Sequence, residues 1–406
     1  MAPDIPQTVK QWNVTSHDGT AGFDALAFSE QQVPRLGDSE VLVKMHAASL
    51  NYRDLIIPQG SYPFPVADNV VPGSDGAGTV LAVGHQVTRF QPGDKVVTLF
   101  NQEHIGGPIT KDNAETGLGG TRHGVLRSVA AFNEQGLVRQ PAGLTAVEAA
   151  TLPCAGVTAW NALYGVADNQ VAPGQWVLTQ GTGGVSIFAL QFAKAAGARV
   201  IATTGSNDKA QVLKDLGADH VLNYRENQDW GAEAKRITGG VGVDHIVEVA
   251  GPKSMAQSLK AVKVSGLISI VGFVGGHTKD QPGFLECLTN LCTTRGILVG
   301  SRKQMEDMCL AIEGNPERLR PVVDKKSFTL EQLKEAYEYQ WSGQHFGKKQ
   351  VVDDVVSSHV VRVTRFLVTK DDSSYSDRPE GEMRQSKFTA LDGVLRPEDK
   401  LCILND

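Results

Sequence analysis

The stretch Trp176-Val177-Leu178-Thr179-Gln180-Gly181-Thr182-Gly183-Gly184-Val185-Ser186 decides the fold. A short apolar run reads as a strand over Trp176–Gln180, glycines crowd the turn, and the apolar spacing of Val185–Ala196 predicts a helix that Gly197 stops. Glycines at such a turn let an anion approach the backbone, and the helix start behind them offers unpaired N–H groups and about half a positive charge. The Gly-x-Gly-x-x-Gly pattern is incomplete, because Ser186 stands at the third glycine. A plain strand–turn–helix with glycines for close packing is the alternative. The context favours a pyrophosphate site, since a second strand follows directly after Gly197-Ala198.

Strand and helix then alternate. Arg199–Thr203 is strand, Asp208–Leu216 helix, His220–Asn223 strand, Asp229–Ile237 helix, Asp244–Val249 strand, Ser254–Ala261 helix and Leu267–Val271 strand. This order builds an α/β Rossmann fold, a doubly wound parallel sheet that holds a dinucleotide. An NAD site usually carries Asp or Glu about 20 residues past the turn, on the ribose. Here the second strand ends Thr203-Thr204-Gly205-Ser206, without a carboxylate. A carboxylate beside a 2′-phosphate would cost about 1–4 kcal/mol, so its absence leaves room for NADPH. Ser206 can hydrogen-bond that phosphate and Lys209 can supply charge, while Asp208 is expected to face away. Lys209 as a plain solvated helix residue is the alternative.

Working outward, residues 1–145 read as mostly β, with strands at Val41–Ala48, Gly78–Val83 and Lys95–Leu99 and a long surface loop over Phe100–Gly124. Thr145-Ala-Val-Glu148 resembles a capping box, and it marks the boundary to the dinucleotide domain at 146–299. Residues 300–348 return to mixed character and hold an amphipathic helix, Leu330–Trp341. Two domains suit a chain of 406 residues. The net charge of −6 argues against a nucleic-acid partner. No apolar run approaches the roughly 20 residues of a bilayer span, and the N-terminus lacks the pattern of a secretory signal. Five scattered cysteines fit free thiols in a reducing compartment, so a cytoplasmic protein is expected.

Several ordered segments resemble the medium-chain dehydrogenase/reductase superfamily, in its zinc-type-like alcohol dehydrogenase and quinone oxidoreductase-like branch. They are Ala48-Ser-Leu-Asn51-Tyr52-Arg53-Asp54-Leu55, Val71-Pro-Gly73-Ser74-Asp75-Gly76-Ala77-Gly78, Pro92-Gly93-Asp94-Lys95-Val96, Ala149–Trp160, Val271-Gly272-Phe273 and His345-Phe346-Gly347-Lys348. The resemblance implies a GroES-like β-barrel domain from 1–145 with 300–348, an active site between it and the Rossmann domain, a small-molecule substrate and a homodimer. It places Thr158 near the nicotinamide, Tyr224 by the ribose or its phosphate, Gly272 and Phe273 along the nicotinamide pocket, and Phe346 and Lys348 on a closing loop near the phosphates. Together with Gly181, Thr182, Gly183, Gly184, Val185, Thr204, Ser206 and Lys209, these are the candidate cofactor residues.

In the zinc-dependent relatives a Cys stands at the position of Asn51 and a His at that of Ser74, while their third ligand matches Cys154. One ligand of three cannot hold catalytic zinc, so no metal is expected. Side chains must then stabilise charge on the substrate oxygen, and the candidates are Asn51, Tyr62 and Asp54. A reductase of a carbonyl, quinone or activated C=C substrate is the first expectation, and a non-catalytic NADPH-binding sensor or partner protein the alternative. Segment 349–406 is an atypical extension. Val360–Val368 could supply the final strand on which relatives end, the polar stretch from Lys370 to Lys387 has a disordered composition, and a misread coding segment is the other explanation.

Overall fold

The computed structural model describes residues 5–276 and 278–352. Seven strands come first: β1 Thr8–Val14, β2 Leu26–Gln32, β3 Glu40–Leu50, β4 Asp75–Val83, β5 Lys95–Thr98, β6 Val129–Asn133 and β7 Leu137–Arg139. Next come β8 Trp176–Gln180, β9 Arg199–Thr204, β10 His220–Asn223, β11 Val243–Glu248, β12 Val262–Ile270 and β13 Thr293–Gly296, followed by β14 Val323–Thr329 and β15 Lys348–Val352.

β8 to β13 form one parallel sheet in the order β10-β9-β8-β11-β12-β13. Successive strand residues point to opposite faces, and both faces are buried. Val177, Val200, Ala202 and Val247 join one core with Phe188 and Phe192 of the helix Gly184–Ala195. Leu178, Ile201, Ile246 and Ile268 join another with Trp230, Ala234 and Leu259 from helices Trp230–Ile237 and Met255–Ala261. This is the doubly wound sheet expected. Its order reverses between β8 and β11, so a crevice opens beyond Gln180 and Glu248, where such sheets bind ligands.

The GroES-like domain is built on a second sheet, ordered β14-β15-β3-β4-β5-β7 with β6 also on β3. Its core holds Val41, Val43, Met45, Val80, Val96, Phe132 and Tyr337. Thr145 and Glu148 do form a capping box, over a short helical turn at Ala146–Ala149. The Phe100–Gly124 loop carries one helical turn, Lys111–Ala114. Among the described residues no helix is long and apolar enough to cross a membrane.

Three readings need correction. β1, β2, β6, β7, β13 and β14 are not among the expected strands; β2 and β13 are exposed along most of their length and so show no apolar alternation. β12 starts at Val262 rather than Leu267; its first residues, interrupted at Ser265 with a φ of 64°, are partly exposed and precede the apolar run. The boundary at Lys348 cuts a strand: β15 runs to Val352 and pairs antiparallel with β3, from Lys349 opposite Leu50 to Val352 opposite Ala47. Two lysines at its head hide it, since only Val351 and Val352 are apolar. Val360–Val368 and the polar stretch behind it lie outside the described residues.

Candidate active site

A cavity of about 850 Å³ opens where β8 and β11 end, within the range of small-molecule and cofactor sites. The Gly181–Ser186 turn forms one wall. Gly181 sits at a φ of 76°, a conformation that favours glycine, and Gly183 begins the helix without a side-chain cap. A Cβ at either residue would meet nothing within 4 Å. The space above the turn is therefore open, and bare N–H groups with the helix dipole behind them suit a pyrophosphate. The serine that breaks the glycine pattern is also explained. Ser186 Oγ donates to the Gln180 carbonyl at 2.5 Å and ties the helix to the strand end.

The end of β9 is where a ribose hydroxyl or 2′-phosphate would be recognised. Lys209 is half-buried, and its Nζ donates to the carbonyls of His345 (2.9 Å) and Gly343 (3.3 Å). Thr204 Oγ1 accepts from Ser206 N at 3.2 Å. Close against Gly205 are two other groups: a Cβ there would stand 2.5 Å from Tyr224 Oη and 3.1 Å from Arg225 Nε. Among the described residues the Arg225 guanidinium has no ion pair or hydrogen-bond partner.

On the facing side, Asn51 and Lys348 reach the cavity. Asn51 Nδ2 donates to Ser74 Oγ (3.3 Å), and Ser74 Oγ donates to Asp75 Oδ1 (2.6 Å). Lys348 Nζ donates to Asn51 Oδ1 (2.5 Å), to the Leu50 carbonyl (3.0 Å) and, at 3.4 Å, to Asp75 Oδ2. Burial, reinforced by the charge of Asp75, pushes the Cys154 thiol up to about 12. These groups do not fit zinc, which needs a thiolate, imidazole or carboxylate ligand set. Here the neighbours of the one thiol are an amide, a hydroxyl and a hydrogen-bonded ammonium. Among the described residues no three His, Cys, Asp or Glu side chains gather to hold a metal.

Of the candidate residues, Asn51, Gly181, Thr182, Gly183, Gly184, Val185, Tyr224 and Lys348 line the cavity. Lys348 lies against the phosphate turn, its stem crossing Gly184, and its head enters the polar centre. Tyr62, Asp54, Thr158, Thr204, Ser206, Lys209, Gly272, Phe273 and Phe346 are not on the wall. Thr158 is buried in the helix Val157–Tyr164, and Ser206 stands just ahead of the helix Asn207–Asp215 without a side-chain capping hydrogen bond. Tyr62 lies beside the Arg53 guanidinium, 4.9 Å from its ring centre, and Phe100 lies 4.8 Å away. Sequence reasoning missed Arg225, the neighbour of Tyr224 and so available to the same argument. It also missed Tyr52 and Trp341, stacked rings on the cavity wall whose meeting no local pattern announces.

Asp54 is buried, and its Oδ2 accepts from Asn51 N at 2.8 Å in a capping box. Burial raises its pKa to about 6, against the pull of Arg53. The folded state then holds this proton more tightly than the unfolded chain, whose carboxyl titrates near 4. The stability so gained is complete below about pH 4 and is lost as pH rises through about 6, a swing of about 3 kcal/mol. Asp54→Asn removes that loss. Urea unfolding at pH 4 and pH 7 should show the variant gaining on wild type by about this amount at the higher pH; a difference independent of pH would rule the assignment out.

Two family profiles match the chain: an alcohol dehydrogenase GroES-like domain over residues 37–142 and a zinc-binding dehydrogenase domain over residues 184–313. A zinc-type alcohol dehydrogenase-like protein of Schizosaccharomyces pombe is 48% identical over 336 residues, spanning 82% of this chain and 96% of its own. A solved Sinorhizobium meliloti 1021 structure, provisionally assigned as an alcohol dehydrogenase, is 37% identical with a TM-score of 0.78, covering 86% of this chain and 100% of that one. The structure of an NAD-dependent alcohol dehydrogenase is 31% identical with a TM-score of 0.75, over 84% and 99%.

Proposed function

The chain belongs to the medium-chain dehydrogenase/reductase superfamily, and from that premise we propose that this oxidoreductase uses NADPH, without catalytic zinc, to reduce a carbonyl, quinone or activated C=C substrate. The observation that carries the reading is one cavity with two unlike walls. An uncapped, glycine-lined helix start faces it from the Rossmann side, and the Asn51–Lys348 polar centre faces it from the GroES-like side. A bound nicotinamide cofactor supplies the hydride. The chain's own residues hold the dinucleotide on the turn at Gly181–Gly184 and direct hydrogen bonds at the substrate oxygen. Stacked Tyr52 and Trp341 offer a flat apolar face to the rest of the substrate.

The choice of NADPH rests on the end of β9, which lacks a carboxylate, and on the unpartnered Arg225 guanidinium beside Gly205. NADPH oxidation on a panel of aldehydes, ketones, quinones and enones tests the activity. Arg225→Ala should raise the KM for NADPH about tenfold, the worth of one charged hydrogen bond, and leave that for NADH unchanged. Equal effects on both cofactors, or no turnover with any substrate, would sink the respective half of the reading.

A homodimer is also proposed, through the outer edge of β13. That strand ends the parallel sheet, and Phe284, Leu285, Leu288 and Leu291 beside it are at least 59% exposed. Edge strands and apolar patches of this kind pair readily with a second copy. Light scattering should return twice the chain mass, falling to the single mass for Leu288→Asp; a monomeric wild type counts against the dimer. The proposed location is the cytoplasm, on the strength of the scattered free thiols, and staining of an organelle lumen would count against it.

A further inference from the structure

The zinc-dependent relatives are expected to place a metal among the positions of Asn51, Ser74 and Cys154, and this chain places an ammonium there. Resting on the oxidoreductase reading above, we propose that Lys348 is the group that stabilises the developing charge on the substrate oxygen, with Asn51 and Asp75 as its positioning residues.

The backbone brings Lys348 to that point. Gly347 N donates to the Thr182 carbonyl at 3.2 Å, which ties the head of β15 to the dinucleotide turn. The lysine stem then passes over Gly184 so closely that a Cβ there would lie 2.5 Å from its Cδ. Lys348 is 5% exposed, and a buried cation persists only with partners. The Leu50 carbonyl, the Asn51 amide oxygen and the Asp75 carboxylate supply them. Ser74 and Asp75 are fully buried behind the cavity wall, whereas Lys348 and Asn51 are on it. Lys348 and Asn51 thus reach the cavity with the Asp75 carboxylate behind them.

One of its three N–H bonds is loosely held. The contact to Asp75 is the longest at 3.4 Å, and Asp75 keeps two other donors, Ser74 Oγ at 2.6 Å and Cys154 N at 3.2 Å. A substrate oxygen can take that N–H without stranding the carboxylate. For a carbonyl substrate, the carbon accepts the hydride of the reduced nicotinamide and forms a C–H bond. The C=O π pair moves onto oxygen, where Lys348 Nζ–H meets the new charge; NADPH becomes NADP⁺, and a proton from solvent completes the alcohol. A donor prearranged at that point acts only where charge appears, so its loss should fall on kcat.

The test uses the full chain as wild type, Lys348→Met and Lys348→Met/Asp75→Asn, the double variant removing the carboxylate charge that methionine would leave unpaired. NADPH affinity is read by fluorescence, kcat and KM on the best panel substrate, zinc by mass spectrometry, and butyrate binding to the NADP-loaded protein by calorimetry, its carboxylate imitating the charged oxygen. The expected result is NADPH affinity within threefold of wild type, kcat down about a hundredfold with KM little changed, butyrate binding lost, and no stoichiometric zinc. An unchanged kcat with NADPH binding weakened tenfold or more would make Lys348 a phosphate clamp and overturn the proposal, as would stoichiometric zinc required for turnover. A wild type that binds butyrate through Lys348 but reduces nothing on the panel supports this oxygen site while sinking the activity it was built on.

Discussion

Gly183→Val is expected to leave the fold intact and to weaken NADPH binding by about 4 kcal/mol, near a thousandfold in Kd. The separation follows from what surrounds the residue. Its backbone is extended, with a φ of −77° and a ψ of 170°, which valine adopts without strain. A Cβ there meets no protein atom within 4 Å, so nothing in the folded chain has to move. The same emptiness is the space that a pyrophosphate must enter to reach the N–H groups at the head of Gly184–Ala195. A branched side chain in it removes about two hydrogen bonds to a charged group, each worth about 1.5–3 kcal/mol. Fluorescence titration with NADPH and a thermal melt together decide the matter. Wild-type affinity in a folded Gly183→Val protein would mean that the dinucleotide does not bind over this turn. Gly184→Val is the contrasting variant, because a Cβ at 184 runs into the Lys348 stem and comes within 3.1 Å of Ala155 Cβ, and it should damage both fold and binding.

That contrast marks where the sequence is legible. The glycine turn, the helix behind it and the capping box at Thr145 are local events written in neighbouring residues, and each is found where its pattern puts it. The parallel sheet from β8 to β12 follows from strand and helix alternation, while β13 does not, because Thr293–Gly296 is polar and mostly exposed. β2 was invisible for the same reason, being mostly exposed. The polar centre is least legible of all. Asn51 and Ser74 could be read as positions emptied of zinc ligands beside a remaining Cys154, but what fills the gap comes from residue 348, nearly three hundred residues beyond Asn51. Its direction depends on the pairing of β15 with β3 and on the absence of a side chain at Gly184. Lys209 shows the same limit, since its head is bonded to the carbonyls of Gly343 and His345, which no local pattern reveals.

Glu248 carries the largest stability effect expected in the molecule. It ends β11 at the point where the strand order reverses, and it is fully buried. One carboxylate oxygen accepts from Ser254 Oγ (2.6 Å), Gly251 N (2.8 Å) and Ala250 N (3.1 Å); the other accepts from Gln180 Nε2 (2.6 Å) and Ser258 Oγ. Gln180 in turn accepts from Val249 N and Ala250 N and leads directly into the glycine turn. Glu248→Ala leaves these donors facing a small cavity. Each unsatisfied donor costs about 1–3 kcal/mol, and entry of water recovers part of it, so a loss of about 4 kcal/mol is expected, or about 10 °C in Tm. Glu248→Gln should fall between, because its amide keeps one acceptor oxygen but turns an NH₂ toward groups that also donate. Urea unfolding of the three proteins measures the series, and a loss below about 1 kcal/mol for alanine would show that the network is not what holds the two strand ends together. Since those ends are also the floor of the cavity, NADPH affinity should decline in the same order as stability. An alanine variant that is destabilised but binds NADPH normally would separate the strength of the switch point from its role in shaping the site.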